Sequence, residues 1–188
     1  MPVNEQEETK ARPAARRPPA SSTDALVVAG RIKRASARRI GLLPVGRRGA
    51  RKDHTALLAE LGAALAAFAE GPVGYLPAWP EWDGAGTVAV PVSPGGADRL
   101  YRISPPRAAD AEAAGQALVR TLETGLGRLA RVLVYLGGYA GPGQVPAAVN
   151  ALDGVVLLVE ARRTLLRSVA RVAHQLPEAK NLGAILVG

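Results

Sequence analysis

The sequence predicts an α/β domain of three layers built around a mainly parallel sheet. Three observations carry this. Short runs of Val, Leu and Ile recur along the chain with little polar alternation, as strands buried on both faces do. Longer alanine-rich, amphipathic runs separate several of them, as crossover helices do. With 188 residues and 48% hydrophobic content, the chain is long and apolar enough for one domain with a core of its own.

Taken in order, residues 1–23 (MPVNEQEETKARPAARRPPASST) are rich in Pro, Arg, Glu and Ser and poor in large apolar side chains. Such a segment cannot offset its ordering entropy, so a disordered basic arm is expected there. Residues 24–37 suit a short helix with a basic end, capped by Ser22, Thr23 or Asp24. From residue 38 to 188 the α/β domain proper is expected. Strands are read at 40–45, 73–76, 87–92, 132–136, 155–159 and 184–187. Helices are read at 54–70, 108–129 and 164–176, with a short one near 145–152. The loop 77–86 (PAWPEWDGAG) is irregular and holds both tryptophans.

Composition narrows the function classes. Cysteine is absent, which excludes disulfides and thiolate metal sites. No stretch of ~18 uncharged apolar residues suggests a membrane-spanning helix, and no apolar leader suggests secretion. A cytoplasmic protein is therefore expected. Charge is uneven: residues 1–52 hold 13 Lys/Arg against 4 Asp/Glu, and residues 53–188 hold 11 against 12. A basic front end attracts nucleic acid, acidic lipid headgroups or an acidic protein face, or it is simply a solvated tail.

Only two histidines occur, His54 and His174, with no acid cluster at ligand spacing, so no metal site is expected. No G-x-S-x-G elbow is present. Glu60, Glu70 and Glu123 read as solvated helix faces, as do Arg162, Arg163, Arg167 and Arg171. Trp79 and Trp82 flank Pro80 and suit either a cover over the sheet or an exposed partner anchor.

The stretch 41–58 (GLLPVGRRGARKDHTALL) has the layout of a phosphate-binding loop: an apolar strand, a Gly- and Arg-rich turn, then a helix. Such a loop needs small residues around the phosphates, a lysine reaching them, a Ser/Thr hydroxyl for Mg²⁺ and a helix N-terminus. Gly46, Gly49 and Lys52 fall near suitable places. Arg51 stands where a glycine should precede the lysine, and Asp53 stands where the hydroxyl should follow it. Arg51 crowds the loop and Asp53 repels phosphate, although Asp53 is also a good helix N-cap.

The second half makes the pattern specific. Residues 152–159 (LDGVVLLV), the run Arg162-Arg163-Thr164 and residues 182–187 (LGAILV) follow one another. This series resembles the MinD/ParA-type P-loop ATPases, and within them the bacterial tyrosine-kinase (BY-kinase) domains of polysaccharide export systems. Those domains show an "ADGVLLVV" strand, an "R-x-x-T" helix start and a final "LGVVLN" strand. The resemblance spans residues 38–188 and implies a three-layer P-loop fold.

Departures from the family pattern are as informative. The strand expected to end in the Walker B aspartate has Tyr135, followed by Leu136-Gly137-Gly138 in place of a Thr-Pro-Pro turn. The segment expected to carry a second aspartate, 73–79 (VGYLPAW), has no acid, and residues 140–188 hold no tyrosine where the family carries a C-terminal tyrosine cluster. Of the family's catalytic set, Lys52 alone is retained by alignment. The resemblance so modified implies a pseudo-ATPase or pseudokinase with no working cofactor, retaining at most weak ATP or anion binding. It would act as a cytoplasmic scaffold or regulator in bacterial exopolysaccharide synthesis and export. Implied partners are the cytoplasmic part of a membrane chain-length or export protein, a second copy of the chain, or the inner membrane face; nucleic acid is not favoured. Two rivals are a divergent active ATPase or kinase in which Lys52 and an acid such as Asp53 rebuild the site, and a ParA-like positioning protein whose basic arm binds DNA or membrane.

Overall fold

A computed structural model describes residues 22–45, 55–69, 71–79, 81–89, 99–124, 127–137, 148–162 and 164–187. The arm expected at 1–21 and the turn 46–54 lie outside the described residues. Seven strands form one sheet: β1 (Arg39–Val45), β2 (Val73–Leu76), β3 (Gly86–Ala89), β4 (Leu100–Ser104), β5 (Arg131–Tyr135), β6 (Gly154–Glu160) and β7 (Asn181–Val187). The helices are α1 (Ser22–Arg34), α2 (Thr55–Phe68), α3 (Ala111–Thr124) and α4 (Leu166–Gln175). The strand order is β3-β4-β2-β5-β1-β6-β7, with β3 antiparallel to β4 and every other pairing parallel.

Two apolar clusters sandwich this sheet. On one face Val28, Ala29 and Ile32 of α1 and Leu58, Leu61 and Leu65 of α2 meet Ile40, Leu42, Leu133, Tyr135, Ile185 and Val187. On the other, Ala114, Leu118 and Leu122 of α3 and the helical turn at 148–150 meet Leu43, Val45, Val134, Leu157 and Val159. Consecutive strand residues thus point to opposite layers, and both layers are covered, which is why β1, β5 and β6 read as unbroken apolar runs.

Several boundaries move. The helix expected at 24–37 runs 22–34 and is a packed layer element, with Ala29 and Ile32 fully buried. It ends early because Ala35 and Ser36 turn back on it, Ser36 at φ 54°. Arg131 Nη1 donates to Ile32 O at 3.0 Å and Ala37 O at 2.7 Å, which satisfies carbonyls at that end. The helix expected at 108–129 is α3 alone. Asp110 Oδ1 caps it by accepting the Ala113 N–H at 2.8 Å. Gly125 and Gly127 lie just past its end, where glycine favours a stop. The strand β4 was not foreseen; the strand expected at 87–92 is β3, which the described residues carry to Ala89.

Candidate functional site

In open parallel sheets, ligands bind beyond the carboxyl ends of the strands where neighbouring connections leave to opposite faces. Here β1 leads toward α2 on one face, and its neighbour β5 leads toward the turn 148–150 on the other. The crevice therefore opens above Val45 and Tyr135. The turn bridging β1 to α2, with Gly46, Gly49, Arg51, Lys52 and Asp53, falls outside the described residues. Its frame is fixed on both sides, with β1 ending at Val45 and α2 beginning at Thr55.

Thr164 belongs to this frame. Its Oγ1 donates to Val45 O at 3.0 Å, and its N–H donates to Glu160 O at 3.1 Å. Thr164, read as part of a helix start, instead braces the ends of β1 and β6. The helix α4 begins two residues later, with Leu165 as an N-cap that offers no side-chain bond.

Tyr135 ends β5 beside β1, in register with Leu42, and is 3% exposed. Its ring lies against Gly137, where a Cβ would stand 2.2 Å from Cε1 and 2.8 Å from the phenol oxygen. Burial, with the negative charges of Glu160 and Glu81, pushes the phenol up to about 12. The strand end thus presents a neutral hydroxyl at neutral pH.

The loop after β2 closes this side. Trp82 is buried, and its Nε1–H donates to Pro77 O at 3.1 Å. It is a cover over the sheet, so the reading of Trp82 as an exposed anchor is corrected; Trp79 is half-buried against the same cluster. Asp83 pins the loop to β4. Its N–H donates to Ser104 Oγ at 2.9 Å, and its Oδ2 accepts Arg102 Nη1 at 3.0 Å. Hydrogen bonds from Ser104, the Ala85 N–H and Arg102 hold this carboxyl well below the usual range. All four residues of β2 are buried, and burial raises the Tyr75 phenol against the lowering effect of Arg102. Three or more His, Cys, Asp or Glu converge nowhere among the described residues.

At the opposite, amino end of the sheet lies a cavity of about 290 Å³ lined by Arg38, Arg39, Glu123 and Asp153 among others. Sequence reading matched Asp153 to a motif without seeing its partner. It clamps β1 to β6 through Arg39 at 2.8 Å.

No family model matches the chain, and no curated protein matches it. Among solved structures, the crystal structure of the VpsO kinase domain superposes with a TM-score of 0.60 over 88% of this chain and 94% of that one, at 13% identity. The two share a fold, which in this chain is a seven-stranded, mainly parallel sheet between helical layers.

Proposed function

We propose that this chain is a catalytically degenerate relative of the bacterial tyrosine-kinase domains, working as a binding or regulatory subunit in exopolysaccharide systems. The fold shared with the VpsO kinase domain supports the kinship. Tyr135 carries the degeneracy. Phosphoryl transfer on a metal–nucleotide complex needs hard, charged oxygen ligands close to the phosphates. At the strand end beside β1, where the resemblance calls for a carboxylate, a buried neutral phenol stands instead. Tyr135 thus supports a crevice without the family's metal-holding acid, and no phosphoryl-transfer step is assigned to the described residues.

Arg47, Arg48, Arg51 and Lys52 precede a helix, an arrangement that attracts anions without a metal. Weak, salt-sensitive anion binding is the ligand chemistry proposed. The partner proposed is the cytoplasmic part of a membrane chain-length or export protein, or a second copy of the chain, at the inner face of the membrane. No helix among the described residues is long and apolar enough to cross a membrane.

The test is ATP titration by calorimetry with and without Mg²⁺, beside a hydrolysis assay on the protein and on Lys52→Ala. Binding indifferent to magnesium and erased by moderate salt is expected, with no turnover. Magnesium-dependent micromolar binding, or turnover abolished by Lys52→Ala, overturns the proposal.

A second reading, a divergent active ATPase, draws on Glu160. This acid ends β6, the other neighbour of β1, and acts electrostatically on Tyr135. Turnover that survives in the protein and disappears in Glu160→Gln would establish it.

A further inference from the structure

The cavity at the amino end of the sheet lies away from the crevice above Val45 and Tyr135 and plays no part in the nucleotide reading. Its volume is about 290 Å³. Ligand pockets begin at roughly 300 Å³, so the occupant it suits is small. Three of its lining side chains are apolar and buried: Leu122 of α3, Leu129, and Val132 of β5. All three belong to the core between α3 and the sheet, so the cavity has a fixed apolar floor.

The four charged side chains of the lining divide into a closed pair and two open poles. Arg39 and Asp153 close on each other: Asp153 Oδ1 accepts Arg39 Nη2 at 2.8 Å and Nε at 3.3 Å. This pair fastens β1 and makes one wall rigid and neutral. Arg38 gives Asp153 only its main-chain N–H, at 3.0 Å. Among the described residues no hydrogen bond or ion pair holds the Arg38 guanidinium or the Glu123 carboxylate. The cavity therefore presents one cation and one anion, each open to a ligand.

The fold sharpens the negative pole. Glu123 stands in the last turn of α3, which ends at Thr124 and has no basic residue in that turn. The carboxyl end of a helix carries partial negative charge and favours a cation. Glu123 adds to that potential instead of offsetting it. Arg128 follows Gly127 in the chain but is not part of the lining. At the other pole, the Arg38 guanidinium offers the planar donor fork that matches a carboxylate.

A simple anion would meet Arg38 but be repelled by Glu123, and a simple cation would meet the reverse. A neutral apolar molecule would desolvate both charges without pairing either. A molecule with both charges and an apolar body satisfies all three surfaces. We propose that this cavity binds a small zwitterion of the aliphatic amino-acid class. Its carboxylate pairs with Arg38, its ammonium with Glu123 at the end of α3, and its side chain rests on Leu122, Leu129 and Val132. The site stands whether or not the nucleotide crevice is degenerate.

The probe is L-leucine, titrated into the full chain by calorimetry, beside leucinamide, which lacks the carboxylate, and isocaproate, which lacks the ammonium. L-Leucine is expected to bind in the millimolar range or tighter. Each analogue should bind about fivefold more weakly, as the loss of one partly solvated charge pair allows. Arg38→Gln keeps the main-chain N–H on Asp153 and should make L-leucine and leucinamide bind alike. Glu123→Gln should make L-leucine and isocaproate bind alike. Thermal melting checks that both variants are folded; if either is not, the three ligands on the unaltered chain decide. No binding of L-leucine at tens of millimolar overturns the proposal. So do analogues that bind as tightly as L-leucine, or a preference for L-leucine that both folded variants retain in full.

Discussion

Asp153 receives the amino end of β1 with both oxygens: Oδ2 accepts the Arg38 and Arg39 N–H groups at 3.0 and 2.8 Å, and Oδ1 accepts Arg39 Nη2 at 2.8 Å. The carboxylate thereby fixes β1 against the turn into β6. Partial burial works to raise its pKa; the Arg39 side chain and the two N–H groups outweigh burial and hold it below the usual carboxylate range. The stabilisation is thus present above the unfolded-state pKa of about 4 and is lost as pH falls through the lower folded value. Asp153→Asn should cost about 1–2 kcal/mol at neutral pH, the ion pair being partly solvated. Urea unfolding of both proteins at pH 7 and pH 3 checks this: the gap should narrow at the lower pH.

Arg131 fastens the amino-terminal helix. Its guanidinium reaches from β5 to Ile32 O in the last turn of α1 and to Ala37 O just past it. Arg131→Met keeps an apolar stem and removes both donors. It should destabilise by about 1–3 kcal/mol, because two part-buried carbonyls lose a charged partner. Hydrogen exchange should rise in α1 and stay unchanged in α3, which packs on the other face. Uniform loss of protection in both helices would show that α1 is not a separately held element.

Gly137 and Tyr135 are predicted to be coupled. A methyl on Gly137 would stand within 2.2–2.8 Å of three atoms of the Tyr135 ring, so ring or backbone must move. Gly137→Ala should cost about 1–3 kcal/mol, as overpacking does. In a Tyr135→Ala background the same change should be close to neutral. A double-mutant cycle by chemical denaturation should give an interaction of at least about 1 kcal/mol; additive effects would place the ring elsewhere.

What was legible in the sequence follows burial. The strands β1, β2, β5 and β6 are covered on both faces and announce themselves as apolar runs. The strand β4 was missed because Tyr101 and Arg102 interrupt its apolar pattern, and Arg102 is spent on Asp83 of the loop beside it. The helix α1 looked like an appendage because its surface is basic, although Val28, Ala29 and Ile32 share one helical face, the signal that would have shown it packed. Tyr135 could be aligned, but its contact with Gly137 and its raised pKa depend on the fold. The clamp of Asp153 on Arg39 spans 114 residues, a separation no local pattern encodes.

Tyr135 should also be the last residue of its region to ionise. Burial is the main cause of its raised pKa, and the negative charges of Glu160 and Glu81 add to it, so its phenolate forms at about 12. An unfolded tyrosine ionises near 10. The neutral phenol therefore supports the fold fully below pH 10, and that support is lost as pH rises toward 12, when the unfolded chain has already released the proton. Ultraviolet difference titration should show one tyrosine transition displaced upward by about two pH units and absent in Tyr135→Phe. Glu160→Gln removes one of the two neighbouring charges and should lower that transition without abolishing the shift, since burial is the larger cause. A Tyr135 that ionises near 10 in the folded chain would mean that water or a mobile loop reaches its oxygen. The neutral strand end on which the degenerate-site proposal rests would then be open to charge.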